Sequence, residues 1–183
     1  MGQPSESLSF EQVELRRWSV DDLDTLYRAV GESLDHLRPW MPWAAEHSRE
    51  HSAEFLVRSQ VEWMSGEAHN YAIVADGTVI GSCGLMRRIG PGGLEIGYWI
   101  HPGWTGRGLA TMAAAALVRE GRSLPGIDHL EIQHDEANHA SAAVPRRLGF
   151  THVERRVLPD GPQTPGEVGI HWVWRLNTSG ETS

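Results

Sequence analysis

One ten-residue segment, Pro102-Gly103-Trp104-Thr105-Gly106-Arg107-Gly108-Leu109-Ala110-Thr111, limits what this chain can fold into more than any other. Its flanks give it meaning. Leu94-Glu95-Ile96-Gly97-Tyr98-Trp99-Ile100 is rich in β-branched and aromatic residues and reads as a strand. Residues 110–119 are dominated by alanine and read as a helix. Glycines between a strand and a helix leave backbone N–H groups open at the helix N-terminus, where the helix dipole favours a phosphate. A Gly-x-Gly alone is common in turns. Here it sits within strand, short loop, alanine helix and second strand, followed by Asn138-His139-Ala140-Ser141 and Leu148-Gly149-Phe150.

At these residues the chain resembles the GNAT superfamily of acyl-CoA-dependent N-acyltransferases, whose loop-to-helix junction reads Gln/Arg-x-x-Gly-x-Gly/Ala. Thr105-Gly106-Arg107-Gly108-Leu109-Ala110 matches at Gly108 and Ala110. It departs at Thr105, which replaces Gln or Arg; one side-chain contact is weakened and the backbone cradle is kept. Asn138-x-x-Ser141 before Leu148-Gly149-Phe150 is similar to the branch of RimJ/RimL-like ribosomal-protein N-terminal acetyltransferases. So is the early Leu37-Arg38-Pro39-Trp40-Met41-Pro42-Trp43, and the resemblance runs from Glu11 to Leu176. It implies an α+β fold, with a mostly antiparallel sheet of about six or seven strands, splayed at its centre and flanked by about four helices.

Composition fits that reading. A chain of 183 residues forms one domain, expected to span 1–183 with an ordered core at 11–176. A net charge of -8 argues against nucleic acid as a direct partner and attracts a cationic acceptor weakly at long range. All 16 basic residues are arginine, so no lysine side chain is available for self-acylation. Cys83 is the single cysteine, which excludes an intrachain disulfide and suits a reducing cytoplasm. No apolar run approaches about 18 residues, so a soluble cytoplasmic protein with no membrane partner is expected. The small, polar segments 1–9 and 178–183 are expected to fray.

Local signals place the remaining elements. Residues 13–16 alternate as a strand, and Ser19 with Asp22 forms a capping box for a helix carrying Leu23, Leu26, Tyr27 and Val30. Ser48 caps a second helix, expected to bury Ala53, Leu56, Val57, Val61 and Met64 and to end at Gly66. Asp76-Gly77 is a hairpin turn between strands at 71–75 and 78–87. Another strand follows at 129–133. Asn138 caps a short helix ending at Gly149, and residues 150–157 and 168–175 form a closing hairpin around a Pro/Gly-rich loop.

The resemblance assigns chemistry to particular residues. It implies that acetyl-CoA, or another acyl-CoA, lies where a bulged strand meets a splayed one. Backbone groups of Tyr98, Trp99 and Ile100 would hold the pantetheine arm and polarise the thioester. Residues Thr105, Gly106, Arg107, Gly108, Leu109 and Ala110 would cradle the pyrophosphate, with Arg107 adding charge. Glu95 matches the position of a general base, and Asn138 and Ser141 lie near the CoA arm, where Ser141 can donate to the leaving thiolate. Pro145 denies the Ser141 carbonyl its usual helical donor, so that carbonyl is expected to take water or a CoA amide. Trp40 and Trp43 are candidates for contact with the acceptor amine or acyl group. That acceptor is a protein N-terminus or a small amine, and a homodimer is expected at family level. A CoA-binding module without catalysis is the alternative; Thr105 favours it, and Glu95, Asn138 and Ser141 oppose it. His134, Asp135, Glu136 and His139, and the pair His47 and His51, lack recognised ligand spacing, and no metal is expected.

Overall fold

The computed structural model describes residues 2–179. Among them one eight-stranded sheet runs in the order β1-β2-β3-β4-β5-β6-β8-β7. Its strands are β1 (Ser7–Phe10), β2 (Val13–Arg17), β3 (Ala68–Ala75), β4 (Thr78–Met86), β5 (Gly93–Ile100), β6 (His129–Asp135), β7 (Thr151–Val157) and β8 (Ile170–Asn177). Five helices accompany it: α1 (Leu23–Gly31), α2 (Leu34–Leu37), α3 (Arg49–Ser65), α4 (Leu109–Ser123) and α5 (His139–Arg147). The expected α+β class and antiparallel bias hold; the sheet has one or two more strands than expected and one more helix.

The added strand is β1. Its short Ser-Leu-Ser-Phe run alternates apolar Leu8, which is buried and faces Leu15 across the β1–β2 pair, with the partly buried Phe10. Arg17 N–H donates to the Glu6 carbonyl and the Tyr71 hydroxyl to that of Ser5, so the chain is tied down from residue 5 onward rather than frayed to residue 9. At the other end, Thr178 donates to the Asp128 and Ile127 carbonyls. The expectation for residues 1 and 180–183 lies outside the described residues.

The single parallel contact in the sheet, β5 with β6, is also its weakest seam. Pairing covers only Gly93 with His129, Leu94 with Leu130 and Glu95 with Glu131. Beyond Glu95 the strands part, which gives the expected splay. Register between β4 and β5 runs from Met86/Glu95 to Gly81/Ile100 without a shift, so β5 carries no bulge against β4. Strict alternation therefore holds. Leu94, Ile96 and Ile100 join the α4-side core, while Glu95, Gly97 and Trp99 share the opposite face. Helix α4 lies close against the sheet because Ala113, Ala114 and Ala116 are fully buried beside Leu117.

Helix α3 corrects one expectation. Val57, Val61 and Met64 are 57%, 64% and 68% exposed, and the buried face is Ser52, Leu56, Ser59 and Trp63. That stripe lies roughly 100° around the helix from the expected one, sharing only Leu56 with it. Trp63 sets the choice: its ring packs edge-on against His69 and Tyr71 of β3, and the small Ser59 lies buried one turn before it.

His69 yields a prediction. It is 4% exposed, and neither ring nitrogen has a hydrogen-bond partner among the described residues. Burial, helped by Arg87 and Arg17, lowers its pKa from 6.5 to about 4. The unfolded chain takes up this proton near pH 6.5 and the folded chain only near 4. Stability from this group is thus intact above pH 6.5 and declines as pH falls to 4, by roughly 3 kcal/mol in total. Urea unfolding at pH 7 and pH 4.5 checks this: His69→Leu should lose clearly less stability than the parent between the two. Parallel losses would assign the acid sensitivity to other groups.

Candidate active site

A cleft of about 1640 Å³ lies on the sheet face opposite α4, floored by β4, β5 and β6 and flanked by α3 and by the 158–169 loop. It brings together Glu95, Tyr98, Trp99, Asn138, Ser141, Trp40 and Trp43 from distant parts of the chain. Ile100 is buried in the core instead. Thr105, Gly106, Arg107, Leu109 and Ala110 are outside the cleft wall, and Gly108 lines a separate hollow of about 330 Å³ with Met112 and Arg147.

The glycine loop has the geometry its sequence suggested. Gly106 and Gly108 adopt φ of +77° and +74°, which favour glycine, and a Cβ at Gly106 would meet nothing within 4 Å. Gly108 is the N-cap of α4, and no side chain caps that end. The first-turn N–H groups are thus open to an anion. Thr105 Oγ1 donates to the Pro102 carbonyl, shaping the loop from within. Arg107 lies with its guanidinium carbon 4.9 Å from the centre of the Trp104 ring.

At the splay, Asn138 Oδ1 accepts from the Ser141 N–H and starts α5. The Ser141 carbonyl, without its amide donor because of Pro145, accepts from the Tyr98 hydroxyl at 3.0 Å. The donor expected from water or CoA is therefore supplied by the protein, and the bond pins α5 to β5 across the gap. Burial pushes the Tyr98 phenol above its usual range, with the bond to Ser141 opposing, so at neutral pH it remains the donor.

Glu95 faces the cleft with both oxygens held by Arg88, at 2.6 and 2.9 Å. Trp43, half exposed, lies over Trp99 of β5 with ring centres 6.2 Å apart, and forms an aromatic wall at one end of the cleft. The opposite wall is a loop. Asp135 at the end of β6 accepts from the N–H groups of Ala137, Val168, Gly169 and Ile170. Burial would raise its carboxyl pKa, but these donors outweigh burial and hold it low. The far side of that loop docks on Pro39, whose carbonyl accepts from Gly166 N–H and Thr164 Oγ1. A Cβ at Gly166 would stand 2.6 Å from that carbonyl, so glycine alone permits the approach.

Residues 12–151 match the acetyltransferase (GNAT) domain family. The chain belongs to that family. Acetyl transfer is accordingly its activity class. No curated protein matches the sequence. Solved GNAT structures share the fold. RimL, a ribosomal L7/L12 alpha-N-protein acetyltransferase solved with coenzyme A, is 21% identical with a TM-score of 0.85; the match covers 94% of this chain and 98% of RimL. MccE, a microcin C7 self-immunity acetyltransferase solved with acetyl-CoA and AMP, is 20% identical with a TM-score of 0.82, over 91% and 93% of the two chains. Mycobacterium smegmatis RimJ, in complex with CoA-disulfide, is 22% identical with a TM-score of 0.81, over 93% and 85%.

Within this GNAT domain the histidines named in the sequence have other tasks. His134 Nε2 accepts from Trp174 Nε1, His47 stacks on Tyr27, and His51 Nδ1 bonds to the Glu46 carbonyl. Among the described residues no three His, Cys, Asp or Glu side chains are grouped to hold a metal. Cys83 is buried, and burial pushes its thiol pKa up, away from nucleophilic use. No helix among the described residues is long and apolar enough to cross a membrane. Sequence reasoning missed Arg88, Glu131, Arg175 and the Asp135 anchor. Each acts through a partner on another element or loop, and no local motif marks such a pairing.

Proposed function

We propose that this chain moves an acetyl group, or another short acyl group, from acyl-CoA to a primary amine by direct attack on the thioester. The observation that carries the reading is the seam between β5 and β6. It closes at Glu95 and Glu131, opens beyond them, and has the acidic and aromatic cleft on its flank. A linear pantetheine arm suits the opening beside Tyr98, Trp99 and Ile100, and the uncapped start of α4 suits its pyrophosphate, with Arg107 free to leave Trp104 for a phosphate.

In this reading the acceptor amine enters from the cleft, between the Trp40/Trp43 wall and the 158–169 loop. Glu95 takes its proton, directly or through water. Nitrogen forms the new C–N bond while backbone N–H groups of β5 hold the oxyanion. The C–S bond then breaks as the Ser141 hydroxyl donates a hydrogen bond to the departing thiolate, which takes up a proton from solvent to leave as CoA thiol while Glu95 returns its proton to solvent. The uncapped start of α4 at Gly108 supports CoA binding over a purely local turn.

A protein N-terminus is the favoured acceptor, since RimL and RimJ share the fold over nearly the whole chain. A small amine is the second reading, supported by the fold shared with MccE. The cytoplasm is the proposed location, supported by the free, buried Cys83. A homodimer belongs to the same reading; β7, the exposed edge strand of the sheet, offers it a surface.

Thiol release from acetyl-CoA, measured with a panel of peptides and small amines and paired with intact-mass analysis of the acceptors, tests the reading. Amine-dependent release supports it. Tight CoA binding with no release for any amine would favour a binding module. Gly108→Val places a branched side chain in left-handed backbone at the phosphate cradle and should weaken CoA binding about tenfold or more in calorimetry, with the protein still folded. Unchanged affinity would place the cofactor elsewhere.

A further inference from the structure

Glu95 and Glu131 are the last matched pair before β5 and β6 separate. Neighbours in register on adjacent strands point to the same face, with backbones about 4.8 Å apart. Both side chains line the cleft, and they are 8% and 4% exposed. Two buried carboxylates so placed repel each other, and burial strengthens the repulsion.

The surrounding charges answer that repulsion in two separate clamps. Arg88, just beyond β4, donates from Nε and Nη2 to the two oxygens of Glu95. Arg175 on β8 donates to one oxygen of Glu131, and Gln133 Nε2 donates to the other at 3.2 Å. Arg156 on β7 is bonded to Glu154, and its guanidinium is within the electrostatic reach of both Glu95 and Glu131. Glu62 on α3 stands toward Arg88. Both clamps set an exposed arginine on a buried glutamate, and they differ in geometry: Arg88 engages both oxygens of Glu95, while Arg175 engages one oxygen of Glu131. A bidentate guanidinium uses one lone pair on each carboxylate oxygen and leaves the others for a further donor.

We propose that Arg88 is a positioning residue for acyl transfer, holding the Glu95 carboxylate aimed into the cleft against the repulsion of Glu131. The inference rests on the reading of Glu95 as the base. It explains how a carboxylate that must accept a proton from the acceptor keeps one orientation beside a second buried carboxylate. Arg88 supplies a facing positive charge, and its fork fixes the plane of the carboxylate. Arg175 and Gln133 keep Glu131 in its own place.

Arg88→Met and Arg88→Lys in the full chain test this, with kcat/KM measured against pH for the best acceptor of the panel, and with CoA affinity and Tm measured alongside. Arg88→Met should lower kcat/KM at neutral pH by about tenfold or more and move the acidic limb upward by about one pH unit, because losing a neighbouring cation disfavours the charged carboxylate. Much of the loss should return at higher pH. Arg88→Lys should keep the limb near its parental position while recovering only part of the rate, since ammonium lacks the fork. CoA affinity should change less than twofold. A carbon-13 titration of the Glu95 carboxyl reads the same shift without substrate or turnover. An unmoved limb and an unmoved Glu95 titration in Arg88→Met would overturn the proposal. If they are unmoved while Glu95→Gln is inactive, the base survives and the clamp does not; if Glu95→Gln turns over normally, both fall.

Discussion

Glu95→Gln should lower kcat by about 10²–10⁴-fold at neutral pH, the range a positioned general base supplies. The substitution keeps shape and much of the hydrogen bonding, so the loss reports proton transfer. Glutamine still offers Arg88 a carbonyl oxygen, and Arg88 is exposed enough for water to satisfy the rest. The pH dependence carries the mechanism. A base is needed because the acceptor amine is protonated at neutral pH, so the deficit should shrink as pH rises and the free amine appears. For an α-amine that occurs near about pH 8, and for a lysine-type amine near about 10.4. The parental acidic limb should flatten in the variant. One titration thus tests the base and separates a protein N-terminus from a side-chain amine. Turnover at parental level across the whole range would leave Glu95 as a structural carboxylate held by Arg88.

What the sequence made legible is what is encoded within a few residues. The Ser19–Asp22 capping box is formed, Ser48 and Asn138 cap α3 and α5, and Gly66 ends α3 in a left-handed conformation. The glycine loop before α4 is likewise a local device, set by two left-handed glycines. The stripe on α3 was misread because hydrophobicity was counted without regard to size. Valines at 57 and 61 outscore serines at 52 and 59, yet the small serines share the buried face with Leu56 and Trp63 and let the helix lie close. β1 was missed because so short an alternation of Leu8 and Phe10 is a weak signal, and its stability comes from partners on β2 and β3.

The cleft was half visible for the same reason. Asn138 and Ser141 lie in one short motif and Glu95 lies on the strand before the glycine loop. The pairing of Glu95 with Glu131 depends on the parallel register of two strands separated by α4, which alternation alone does not specify. The contact between Thr164 and Pro39 spans 125 positions and ties the 158–169 loop to the segment that carries Trp40. Asp135, weighed at first as one of a group of metal-ligand types, turns out to hold backbone N–H groups, so its conformational constraint on the loop is its contribution to the cleft.

Ser141→Ala should reduce kcat by about 10–10³-fold while leaving CoA affinity within a few fold, by analogy with the loss of one oxyanion donor. The distinction rests on geometry. Ser141 is tied into the structure by its backbone: its N–H donates to Asn138, and its carbonyl accepts from Tyr98. Alanine keeps both bonds and has higher helix propensity, so the fold of α5 is preserved and the hydroxyl alone is removed. Ser141 lines the cleft beside the seam where, in the proposed reaction, the sulfur would leave. Its donation matters most when negative charge is on sulfur, late in the reaction, so the effect should fall on turnover rather than on binding of the thioester. An acyl donor whose leaving thiol is more acidic should narrow the gap between Ser141→Ala and the parent, because the thiolate then needs less help. A variant that binds CoA and turns over like the parent would confine Ser141 to its backbone bonds.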